Sequence, residues 1–136
     1  MENKELEEKD NIEQTAEYDR TPAILGYLTF IGFIIALIIQ VNKKENERIF
    51  LAFHLRQAFG LIILSIIFIL SFSILSVITL SFHFGALSIL NIISFLFSII
   101  YLGLIIIGIR NALNQETKTL PFMGRKIESI LKKTFE

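Results

Sequence analysis

The chain has no cysteine and no tryptophan, only two prolines and two histidines, and no acid or base between residues 58 and 109. Each absence excludes something. Without cysteine there is no disulfide, no thiolate nucleophile and no thiolate-bound metal. No nucleophile elbow or phosphate-binding loop stands out, so an enzyme is not expected, and neither is a metal or a cofactor. A charge-free run of 52 residues, 58–109, would be about 78 Å long as one helix, more than twice the hydrocarbon core of a bilayer. It must fold back on itself.

What is present is apolar. Of 136 residues 53% are hydrophobic, and the mean hydropathy is +0.62. A soluble fold of this size has too little interior for so many Ile, Leu and Phe side chains, so lipid is the expected partner. The formal net charge of +0 conceals an asymmetry. Residues 1–20 carry eight acids against Lys4, Lys9 and Arg20, a balance of −5, and the rest of the chain therefore carries +5.

Read along the chain, the pattern predicts an all-α integral membrane protein with about three transmembrane helices. Residues 1–21 form an acidic tail with too little apolar content to repay ordering. Thr21-Pro22 reads as a helix start, Thr at the N-cap and Pro in the first turn. A first span is expected over 23–41, nineteen uncharged residues reaching about 28 Å. Because the preceding tail is acidic, a cleaved signal peptide is the poorer reading. Arg56 would be costly in mid-bilayer, so residues 48–58 are expected as an interfacial helix. A turn near His83 and Gly85 divides the long run into spans at 59–80 and 87–109. These elements make a membrane domain over 22–115. Within the tail 116–136, Met123, Ile127, Ile130, Leu131 and Phe135 alternate at helical spacing with Arg125, Lys126, Lys132 and Lys133. That spacing predicts a basic amphipathic helix on an anionic membrane surface.

With three spans, the 42–57 loop and the C-terminal tail share ten bases and the opposite side holds three. The loop and C-terminus are therefore expected in the cytoplasm of a bacterial inner membrane, with the acidic tail exported.

Polar groups inside spans are candidates for function because they are expensive there. Ser88, Asn91, Ser94 and Ser98 fall within one arc of the third span, either as a close-packing face or as a polar path. Gly26, Thr29, Gly32, Ala36 and Gln40 make a similar stripe in the first. His54, Arg56 and Gln57 form a sharper cluster. At 100° per residue His54 and Gln57 lie about 60° apart, whereas Arg56 points elsewhere, so the first two are expected to act as one unit.

Phe53-His54-Leu55-Arg56-Gln57-Ala58, followed by Gly60 and a span, resembles the Tic-twenty-like family of chloroplast inner-envelope import components and their small bacterial relatives. Ala23-Ile-Leu-Gly-Tyr-Leu-Thr29, Gly108-Ile-Arg-Asn-Ala-Leu-Asn114 and Leu120-Pro-Phe-Met-Gly124 extend the likeness over roughly 23–131. The resemblance implies a non-enzymatic component of a membrane complex, of a protein-translocation kind. An oligomeric small-solute transporter or channel, its path lined by the Ser and Asn stripe, is the alternative. Expected partners are the bilayer and other membrane proteins or further copies, with no nucleic acid.

Overall fold

Backbone polar groups in lipid must be satisfied within their own segment, and a chain this apolar meets that demand with helices. The computed structural model describes residues 19–82, 86–131 and 135, and every regular element among them is helical. In chain order these are α1 (Thr21–Leu28), α2 (Phe30–Gln40), α3 (Glu45–Phe82), α4 (Ala86–Leu113) and α5 (Gly124–Leu131). Two of them, α3 and α4, are long and apolar enough to cross a membrane. The acidic tail before Asp19, His83, Gly85, Lys132 and Lys133 lie outside the described residues.

The stretch 23–41 is not one helix. It breaks at Thr29, whose φ of −150° and ψ of 159° are extended and whose side chain accepts a hydrogen bond from the Gly32 amide at 2.9 Å. Thr29 thus ends α1 and caps α2, a role that threonine performs well. The chain then doubles back. A Cβ at Gly32 would meet the Leu25 carbonyl carbon at 3.1 Å, so only glycine lets the two helices close this tightly. α1 runs with α3, Gly26 against Leu55 and Ala58, while the hairpin tip at Leu28–Phe30 reaches the level of Ser65. α2 runs against it, with Phe33 stacked on Phe59 and Gln40 back beside Arg48. The hairpin therefore begins and ends at the same end of α3. There Asp19, which also accepts the Thr21 amide at the start of α1, meets Lys43 at 3.0 Å. Lys43 holds the Asp19 carboxyl below its ordinary range, and Asp19 raises Lys43 in turn. This pair is intact above the usual carboxylate range and weakens as pH falls through the lowered Asp19 value.

The interfacial segment 48–58 and the span 59–80 are one continuous helix. At 38 residues α3 is about 57 Å long, nearly twice the hydrocarbon thickness, so one end must stand outside it. That end is where the core lies: Phe50, Leu51, Leu55, Ala58 and Leu61 pack with Ala23, Tyr27, Phe33 and Ala36 of the hairpin and with Leu104 and Ala112 of α4. Phe135 closes this cluster against Phe33 and Phe59, and its carbonyl accepts from Gln40 Nε2. Further along, α3 and α4 hold each other through Phe68 and Phe97, stacked 3.6 Å apart at 4°. Among the described side chains between Ile62 and Gly103, only Leu90 is buried. The protein has a polar-rimmed cap at one end and two bare apolar helices at the other.

Candidate functional site

The three polar residues singled out on α3 are all buried within the cap, with His54 1% exposed, Arg56 4% and Gln57 0%. They do not form the grouping that their angular spacing predicts. His54 faces α1. Its Nδ1 lies 3.2 Å from Tyr27 Oη, and the rings of Phe50, Phe53 and Tyr27 enclose it edge-on at 4.7, 5.3 and 5.9 Å. Its Nε2 has no partner within hydrogen-bonding distance among the described residues.

Gln57, about 60° round the helix from His54, is engaged by the tail instead. Its Nε2 donates to the Gly124 carbonyl at 3.2 Å and to Glu128 Oε2 at 3.4 Å, and its Oε1 accepts from the Leu120 amide at 3.3 Å. Arg56 Nη2 pairs with the other oxygen of the same carboxylate, Glu128 Oε1, at 2.9 Å. Arg56 and Gln57 are therefore one unit, joined through Glu128, and His54 belongs with Tyr27. The helical wheel fails because it counts angles on one helix, whereas the partner carboxylate straddles two neighbouring directions.

The unit works as a latch. The segment after α4 turns at Gln115, with φ 56°, and Asn111 Nδ2 holds the Lys118 carbonyl at 3.1 Å. It then passes Leu120 to Gln57 and lays α5 over Gly60. A Cβ there would come within 2.6 Å of Ile127 Cγ1, so the glycine makes room for the tail helix. The amphipathic pattern of α5 thus serves protein packing through Gly124 and Ile127, both buried.

Spacing on α3 missed Tyr27 and Glu128. Glu128 is the sole acid between Thr117 and Phe135, a signal that the tail needs a cation to face. The other stripe lies along the single helix α4. Ser88 and Asn91 are exposed, and Ser98 Oγ donates back to the Ser94 carbonyl at 2.9 Å. Ser94 and Ser98, with Ser65 and Ser73 of α3, border a groove of about 530 Å³ beside Phe68 and Phe97 that opens outward. In the first stripe Gly26, Gly32, Ala36 and Gln40 are buried, but from two antiparallel helices rather than one.

Among the described residues no three His, Asp or Glu side chains gather to hold a metal ion. A double-mutant cycle checks the division into two units. Arg56→Ala with Gln57→Ala should show coupling of roughly 1 kcal/mol in detergent melting, and His54→Ala with Gln57→Ala should be additive within about 0.5 kcal/mol.

Residues 18–127 match the model of the MamF/MmsF family, described as the magnetosome magnetite crystal formation protein family. The chain belongs to this family. The match covers α1 to the middle of α5 and ends one residue before Glu128. It also corrects the Tic-twenty-like resemblance, and the translocation role drawn from it falls away. Its Phe53–Ala58 core is short, and those residues are accounted for by burial and by the Tyr27 and Glu128 contacts. No curated protein and no solved structure matches the chain.

Proposed function

We propose that this MamF/MmsF member is a non-enzymatic membrane component that crosses the bilayer twice, with both termini and the cap on the cytoplasmic side, and that it acts by assembling in the plane of the membrane. The observation that carries this reading is the meeting of Asp19 and Lys43 at 3.0 Å across the 23–41 hairpin. A segment whose two ends touch does not cross. With the hairpin non-crossing, all thirteen Lys and Arg residues lie to the cap side of the charge-free run, and none lies on the other. This bias is stronger than the ten-to-three split of a three-span arrangement, and it supports a cytoplasmic cap. The bare faces of α3 and α4 supply the surface for lipid, further copies or other membrane proteins.

The same distribution bears on magnetite crystal formation, the task in the family's description. Carboxylates are the hard oxygen ligands that suit iron cations and oxide surfaces. Every acid of this chain is also on the cap side, with none between Glu47 and Glu116. Between α3 and α4 the sequence has only one ionisable side chain, His83. A contribution to crystal formation from the far side then runs through membrane organisation rather than through carboxylate contact with mineral. Nothing in the comparisons supports the transporter alternative.

Sidedness tests the proposal. Single cysteines at residues 5, 45 and 130 should be protected from a membrane-impermeant maleimide in intact cells, and a cysteine at residue 84 should be labelled. Labelling at residue 5 with protection at 45 would restore three spans and sink the reading.

A further inference from the structure

The outer flank of the tail carries two large apolar side chains that the cap does not use. Phe122 is 96% exposed and Ile130 79% exposed, although Leu120 and Ile127, two and three positions before them, are buried. Phe122 also holds a φ of 65°, a left-handed conformation that is strained for a bulky side chain. Nothing in its own contacts repays that strain, since the side chain touches almost nothing. Depth supplies the missing element. Ile127 seats α5 on Gly60, in the first turn of the charge-free part of α3, which places the tail helix at the edge of the hydrocarbon.

Charge fits the same setting. Arg125 and Lys126 are exposed, and a cleft of about 360 Å³ opens between Thr119, Pro121, Phe122 and Arg125. At 100° per residue Ile130 stands about 60° from the buried Ile127, on one flank, whereas Ser129 stands about 160° away, on the outward face. Lys126 lies next to Ile130, placed to extend its stem along apolar surface and its ammonium to the headgroups.

We propose that Phe122 and Ile130 insert into the headgroup–acyl boundary of the surrounding leaflet, while Arg125 and Lys126 bind the phosphates of anionic phospholipids. The tail is then a lipid-composition sensor coupled through Glu128 and Gln57 to the buried cap. The inference rests on the membrane reading above, and its test separates the two.

The full chain, which has no native cysteine, is reconstituted in vesicles of phosphatidylcholine with or without phosphatidylglycerol. An environment-sensitive fluorophore is placed in turn at residues 122, 130, 129 and 70. Shallow-brominated lipids should quench the probe at 122 and 130 at least twofold more than at 129. Brominated phosphatidylglycerol should quench at these two positions more strongly than brominated phosphatidylcholine. Arg125→Gln with Lys126→Gln should erase that preference, each charge contributing roughly fivefold to local anionic-lipid association. Phe122→Gly suits the positive φ and should keep or raise the detergent melting midpoint while lowering quenching at 130. Water-exposed signals at 122 and 130, with a quenched signal at the bare-helix position 70, would overturn the tail proposal and leave the membrane reading standing. Absence of quenching at 70 as well would overturn both. Equal quenching at 129 and 130, or no lipid preference, would also overturn the tail proposal.

Discussion

Leucine in place of Gly108 is expected to lower the detergent melting midpoint sharply, at a cost of about 3 kcal/mol, the upper end for overpacking a close-packed core. A Cβ at that position would lie 2.5 Å from Tyr27 Cε1 and 2.7 Å from Cζ. The ring has nowhere to go, since it is 6% exposed and its hydroxyl meets His54. The substitution would therefore push α1 away from α4 and strip the histidine of its partner together. Gly103 is the matched control on the same helix. A Cβ there meets nothing within 4 Å, and Gly103→Ala should be neutral or stabilising by up to about 1 kcal/mol from helix propensity. Equal losses at 103 and 108 would show that α4 is sensitive to any side chain, and the Tyr27 contact would lose its significance.

Glu128→Ala is the second large effect. Removing one partner of a fully buried ion pair costs about 3–5 kcal/mol, because the remaining charge keeps its desolvation penalty. Here the Glu128 side chain is 25% exposed and Arg56 only 5%, so about 2 kcal/mol is expected. The loss should be local. Residues 116–131 should become open to limited proteolysis at temperatures where α3 and α4 remain folded. Glu128→Gln keeps an acceptor for Arg56 and should lose about half as much. The reverse deletion, Arg56→Met, leaves Glu128 able to reach water and should be milder than Glu128→Ala. A tail equally protected in all variants would mean that Glu128 does not latch it.

Composition and charge were enough to read the all-helical class and the long apolar helices, because each follows from the cost of placing charge or bare backbone in lipid. The burial of His54, Arg56 and Gln57 was not read from the sequence. The break at Thr29 was not readable as a break. Threonine is tolerated inside membrane helices, and nineteen uncharged residues match a bilayer whether or not they cross it. The hairpin is specified by two local details, the Thr29 cap on Gly32 and the missing Cβ at Gly32, and hydropathy is blind to both. The pairing of Arg56 with Gln57 was hidden for a different reason. It depends on Glu128, 71 residues beyond Gln57, and one-helix geometry cannot place a residue from another element. The packing of the tail illustrates the same limit, since its helical spacing did not show that Ile127 seats on Gly60.

Crosslinking of Asp19→Cys with Lys43→Cys tests most directly the claim that residues 23–41 fold back at one end of α3. No native thiol competes, so a short bifunctional thiol reagent can report on this pair alone. Side chains that meet at 3.0 Å should link within one chain in high yield, with the joined peptides recovered by mass spectrometry. Lys43→Cys with Gly85→Cys is the negative control. If the chain crossed three times, residues 19 and 43 would stand about 30 Å apart on opposite faces of the bilayer, and no intramolecular product would form.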